Sequence, residues 1–201
     1  MSREHWDQVW KGRLPEEVSW YQPVPTVSRT LIAGIASPDS SVLDVGGGAS
    51  VLVDELLANG FSDLTLVDIS APAVEVSKRR LGMMAARVEW IVADVLEHEF
   101  DRRFDVWHDR ALLHFLTEPS EVDRYQSALL RALSTDGHAV IGAFGPEGPS
   151  TCSGLPVRRY DHRDMTEVLG VGFTLLDHVE ELHRTPGGEV QQFIFGVYQR
   201  N

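Results

Sequence analysis

From Ser41 onward the chain alternates short β-branched runs with amphipathic stretches, and few folds accommodate that alternation. SerValLeuAspVal at 41–45 is followed by a helical pattern over 50–60, LeuThrLeuValAsp at 64–68 by another over 70–82, and then come strand patterns at 88–94 and 104–109. Such an order predicts a parallel sheet with crossover helices. The helix boundaries have chemical reasons: Ser50 and Ser70 stand where N-caps belong, Pro72 falls in a first turn, and Gly60 and Gly82 follow the last periodic residues. A further helix is expected from about Pro119 to Leu133, a fifth buried strand over 137–144, and a short helix capped by Asp161 that ends near Gly170. Two more strand patterns, 173–184 and 190–199, flank a turn at Thr185–Gly188 and read as an antiparallel hairpin. The expected architecture is a single doubly wound α/β domain over 1–201, its seven-stranded mixed sheet ending in that hairpin. Residues 1–40 form an N-terminal arm and a helix near 24–36, and 41–201 form the core. The arm carries Trp6, Trp10, Trp20 and Tyr21 and reads either as a lid or as packed structure. The Gly/Pro/Ser-rich stretch 145–156 reads as a long connection that closes over a site or stays mobile.

Charge narrows the function. Thirty acidic against eighteen basic groups give a formal net charge of −12, which disfavours nonspecific nucleic-acid binding because that rests on phosphate neutralisation. Cys152 has no partner for an intramolecular disulfide, and no Cys/His spacing suggests a metal. The N-terminal residues alternate charges with tryptophans and lack a secretory apolar core, and the longest apolar stretches fall short of the roughly 20 residues of a membrane span. A cytoplasmic protein without nucleic-acid or membrane partners is expected.

The segment that carries chemistry is Asp44-Val45-Gly46-Gly47-Gly48-Ala49-Ser50, a strand running through glycines into a helix. Glycine lets a ligand approach the backbone, and the following helix offers free N–H groups. A dinucleotide fingerprint would want a third glycine where Val51 stands, and a P-loop would want Gly-Lys-Ser/Thr, which neither Lys11 nor Lys78 supplies. What remains is a carboxylate two residues before the first glycine. It would repel a pyrophosphate and suits an ammonium group.

These residues resemble the glycine loop of the class I S-adenosylmethionine-dependent methyltransferases, and the resemblance runs from Ser41 to about Phe144. It implies a Rossmann-like fold with S-adenosylmethionine as cofactor and S-adenosylhomocysteine as product. It also implies roles: Asp68, with Ile69 beside it, would accept hydrogen bonds from the ribose hydroxyls, and Asp94 with the Val95 backbone would meet the adenine. Asp44, Gly46, Gly48 and Ser50 would surround the amino-acid half, and His108, Trp20 and Tyr21 would also border the cofactor. An aspartate that closes a strand is usually only a turn former, but three in order behind consecutive strands point at one ligand.

After the fourth strand pattern the resemblance places His108, Asp109 and Arg110 at the site of methyl transfer, and His114 reads first as a helix-face residue packed or solvated at the rim. Asp109 is the first choice for a substrate-side residue, and His108 and His114 are further candidates for a base that deprotonates an acceptor. Arg110 is open to a structural pairing with Asp109 or Asp105. The Asn/Asp-Pro-Pro-Tyr/Phe motif of nucleobase and glutamine methylation is missing. Trp6-Asp7-x-x-Trp10-Lys11-Gly12 is similar to the arm of thiopurine-type small-molecule methyltransferases, and Trp20-Tyr21 to that of seven-strand protein lysine methyltransferases. A small-molecule acceptor is the leading expectation, a protein lysine the first alternative, and a noncatalytic nucleotide-binding module the second.

Overall fold

The computed structural model describes residues 2–201. A short helix α1 (Arg3–Val9) and helix α2 (Thr26–Ile35) precede the sheet. Then follow β1 (Ser41–Val45), α3 (Leu52–Ala58), β2 (Asp63–Asp68), α4 (Ala71–Leu81), β3 (Val88–Val92) and β4 (Phe104–Arg110). The second half holds α5 (Pro119–Ala132), β5 (Leu133–Phe144), the two-residue strands β6 (Thr151–Cys152) and β7 (Leu155–Pro156), α6 (His162–Leu169), β8 (Phe173–Arg184) and β9 (Val190–Arg200).

Seven strands form one sheet in the order β3-β2-β1-β4-β5-β9-β8. The first five are parallel, β9 enters antiparallel to β5, and β8 pairs with β9 at the edge. The direction of the chain reverses across the sheet between β1 and β4, so the carboxyl ends of these two strands open a crevice. Both faces are covered, as all-buried strands such as β1 require. Ile32 of α2 and Leu52, Val53 and Leu56 of α3 pack on one face, while Tyr125 and Leu129 of α5 and Met165 of α6 pack on the other.

Local chemistry explains the boundaries. Ser70 caps α4 by accepting from the Ala73 N–H, and Asp161 caps α6 by accepting from Arg163 and Asp164. The expectation for Ser50 is off by one position: Val51 is the N-cap of α3, and the Ser50 hydroxyl accepts from Leu52 N at 3.1 Å, two residues on. β5 begins at Leu133, earlier than the pattern at 137–144, because Leu133 pairs with Phe104 directly after α5; the register then shifts, with Asp136 at positive φ, before His138 pairs with Val106. The stretch 145–156 is not structureless, since β6 and β7 pair within it and bury Cys152.

Candidate active site

A cavity lies over the carboxyl ends of β1, β2 and β4. One side of it is the turn Gly46–Gly48, with Gly46 and Gly48 at positive φ. The middle residue has a steric reason to be glycine: a Cβ on Gly47 would strike Asp44 Oδ2 and the Leu66 side chain. Asp44, Asp68 and Asp94 all line the cavity, together with Ile69, Val95 and Ser50. Successive strands thus bring three carboxyl groups to one space, with no basic side chain hydrogen-bonded to any of them except through His108.

Each carboxyl is held differently. Asp94 Oδ1 accepts from Leu96 N at 2.9 Å. Asp68 Oδ1 accepts from Ser70 N at 2.7 Å, yet burial, with Asp44 and Asp7 nearby, pushes its pKa up to about 7. Asp44 Oδ1 lies 2.7 Å from His108 Nδ1, whereas its Oδ2 is buried without a hydrogen-bond partner. A buried, unpaired carboxylate oxygen facing a cavity is costly and calls for a donor from a ligand.

His108 is locked. A carboxylate only accepts, so the Nδ1 proton points at Asp44, and Nε2 lies 2.9 Å from Ser28 Oγ on α2. Both ring nitrogens are engaged, which removes the expected general-base role and leaves His108 a positioning residue for Asp44. Ser28, its second anchor, carries no sequence signal, because a lone serine inside an amphipathic helix has none.

Asp109 is corrected by the pleat of β4. Side chains alternate across a strand, so His108 and Arg110 face the cavity and α2, and Asp109 faces α5. There Asp109 accepts from Leu112 N (2.8 Å), Leu113 N (3.1 Å) and the Tyr125 hydroxyl (2.7 Å), fully buried and outside the cavity lining. Burial raises its pKa to about 6 despite these donors. It secures the turn after β4 and does not line the cavity. His114 is a packed residue and not a base at the cavity: its Nδ1 accepts from Phe144 N at 3.3 Å, and its ring packs against Phe115 and Phe144. Burial and then the Arg110 charge push its pKa down to about 3, so it stays neutral and takes no part at the cavity wall.

The aromatic arm forms the roof. Trp6, Trp10, Trp20 and Tyr21 line the cavity, Trp20 meets Trp6 and Trp10 edge-to-face, and Trp6 meets Phe115 in the same way. The arm is tied to the carboxylate side by a hydrogen bond of 2.9 Å from the Ser70 hydroxyl to Asp7. Arg110 stands at the other end of the cavity. It pairs with neither Asp109 nor Asp105: Nη1 donates to Trp20 O at 3.1 Å, and the guanidinium lies 4.4 Å over the Phe193 ring. Glu181 of β8 faces it at 3.6 Å. This charge pair joins residues far apart in sequence, and no local spacing marks it. Cys152 lines the same end, its thiol pKa pushed up to about 11 by burial.

Comparison with known proteins agrees with this geometry. Residues 42–137 match the model of a methyltransferase domain. The chain is 27% identical over 144 residues, 69% of its length, to a malonyl-[acyl-carrier protein] O-methyltransferase of Anoxybacillus flavithermus. It is 28% identical over 143 residues, 68% of its length, to an eEF1A lysine and N-terminal methyltransferase of Mus musculus. It spans 53% of the first relative and 20% of the second. Among solved structures, the N-methyltransferase NodS of Bradyrhizobium japonicum with S-adenosylhomocysteine superposes with a TM-score of 0.74 at 16% identity, over 96% of this chain and 97% of that one. At that identity the likeness establishes the fold.

Proposed function

We propose that the chain is a class I S-adenosylmethionine-dependent methyltransferase, a reading supported by the match of residues 42–137 to a methyltransferase domain, and that it methylates a small-molecule acceptor held in the end of the cavity lined by Arg110, Trp20 and Cys152. The residues present fit the cofactor. The orphaned Asp44 Oδ2 would take the ammonium group, and Gly46 and Gly48, which line the cavity, would border the amino-acid half. Asp68 would accept from the ribose hydroxyls, and Asp94 with Val95 would hold the adenine.

When bound, the cofactor supplies an electrophilic methyl carbon on a sulfonium, open to in-line displacement. The chain supplies position and dryness. His108, fixed between Asp44 and Ser28, sets the carboxylate that anchors one end of the cavity. Trp6, Trp10 and Trp20 line the cavity and would keep water from a bound cofactor, and aromatic rings there are favourable neighbours for a cation. His108 is held between Asp44 and Ser28 and His114 lies outside the lining, so a proton on the acceptor would leave to water or to a carboxylate such as Glu181, which faces Arg110.

The observation that carries the small-molecule reading is the enclosure: the arm and the segment around Cys152 close the acceptor end, which suits a whole small body better than a side chain on a bulky protein. The lysine alternative has the name of the mouse relative in its favour and the charge of Arg110 against it. Incubation with methyl-labelled cofactor and a cell extract separates them. Label recovered in the low-mass fraction supports the proposal, whereas label retained on protein overturns it. Calorimetry on protein freed of copurified ligand, with S-adenosylhomocysteine as titrant and NAD as control, tests the methyltransferase reading independently.

A further inference from the structure

Arg110 and Glu181, side chains only 10% and 13% exposed, form an ion pair at 3.6 Å, a separation longer than a good hydrogen bond. Arg110 Nε and Nη2 and Glu181 Oε2 are buried with no hydrogen-bond partner. Each is otherwise fixed in place. Nη1 is held by Trp20 O, the guanidinium plane rests on Phe193, and Glu181 Oε1 accepts from the Gln22 side-chain amide at 2.6 Å. Anchored groups with open donors and an open acceptor are the signature of a site completed by a ligand. Arg110 and Gln22 both line the acceptor end of the cavity.

We propose that this pair is the acceptor-recognition subsite and that it takes a neutral planar group presenting a hydrogen-bond acceptor beside a donor, such as an amide or lactam edge. This rests on the methyltransferase reading and adds the chemical class of the acceptor. The geometry supplies two N–H donors along one edge of a guanidinium, the edge that receives planar oxygen groups, and one carboxylate oxygen beside it. Charge balance decides the class. The subsite already holds one positive and one negative group at 3.6 Å. An acceptor carboxylate would meet Glu181, an acceptor ammonium would meet Arg110, and either would leave a net charge buried under tryptophans. A carbonyl toward Arg110 with its neighbouring N–H toward Glu181 satisfies all three open atoms at no net charge.

Benzamide, benzoate and benzamidinium share one shape and present, in turn, an acceptor and a donor, two acceptors, and two donors. Each is titrated calorimetrically into the full chain saturated with S-adenosylhomocysteine. The expected result is that benzamide binds at least roughly tenfold more tightly than either ion. Glu181→Gln should move the preference toward benzoate, and Arg110→Gln toward benzamidinium, with S-adenosylhomocysteine affinity kept in both. Equal binding of the three, preference for an ion, or no binding of any probe by the loaded wild-type chain overturns the proposal, and these outcomes need no variant to fold. Failure of S-adenosylhomocysteine itself to bind would bring down the methyltransferase reading, and this inference with it.

Discussion

Asp68 is an acid that the fold keeps partly protonated near neutrality, because burial and the neighbouring Asp44 and Asp7 outweigh the hydrogen bond from Ser70. A diol donates to the ionised carboxylate, so ligand binding must expel that proton. Affinity for S-adenosylhomocysteine should fall roughly fivefold as pH drops from about 7 to about 6 and change little above about 8, as linkage to one group near 7 requires. Calorimetry across that range, repeated in buffers of different ionisation heat, checks both the slope and the proton release. Asp68→Asn should weaken binding and flatten the profile, and an undiminished pH slope in that variant would remove the assignment. Asp109 belongs to stability. Asp109→Ala strips partners from two backbone N–H groups and the Tyr125 hydroxyl, at a cost of about 2–4 kcal/mol. Thermal melting should show a drop of roughly 4–16 °C for a domain of this size, while S-adenosylhomocysteine affinity of the folded protein stays near wild type.

Helix α1 has seven residues, none of them fully buried, too short to hold together on its own. Its order depends on docking: Asp7 on Ser70, Trp6 on Phe115, and Trp10 in a buried cluster with Val18, Ala49 and Ala73. A ligand beneath this roof should stabilise it. Hydrogen exchange at residues 3–10 is expected to slow severalfold when S-adenosylhomocysteine is added, and Trp6→Ala should speed ligand release; exchange unmoved by ligand would make the arm plain packing. The elements were legible in the sequence wherever periodicity and caps were local, as in α4 behind Ser70 and α6 behind Asp161. The same holds for the three aspartates, each announced by the strand it closes. What the sequence hid was orientation. Three consecutive residues, His108 to Arg110, read as one site, and the pleat of β4 sends the middle one to the opposite face of the sheet. Ser28, Gln22 and Glu181 escaped because their partners lie far along the chain, and only the folded topology brings them together.

Across the whole molecule, the net charge of −12 makes the folded state repel itself, an effect that salt screens once the Debye length shrinks from about 30 Å to about 8 Å. The melting temperature should therefore rise by a few degrees between about 0.01 M and about 0.15 M salt at pH 8, checked by calorimetry; a fall would mean that favourable ion pairs such as Arg102 with Asp63 dominate the surface. No helix among the described residues is long and apolar enough to cross a membrane. The molecule has two unequal halves around one crevice: five parallel strands with their helices, and a hairpin with an aromatic arm that closes over them.

The glycine turn and the three cavity aspartates all fall within residues 42–137, the span that matches the methyltransferase domain, whereas Gln22, Cys152 and Glu181 lie before or after it. Arg110 alone belongs to both neighbourhoods, at the end of a strand whose preceding residue but one holds Asp44. The segments that frame Arg110 thus lie outside the matched span, while the strand ends that carry the aspartates lie inside it and are tied to the N-terminal region through Asp7 with Ser70 and Ser28 with His108. Moving the hairpin to a related core would therefore require an arginine at the position of Arg110, because the charge pair joins that core residue to Glu181 of the hairpin.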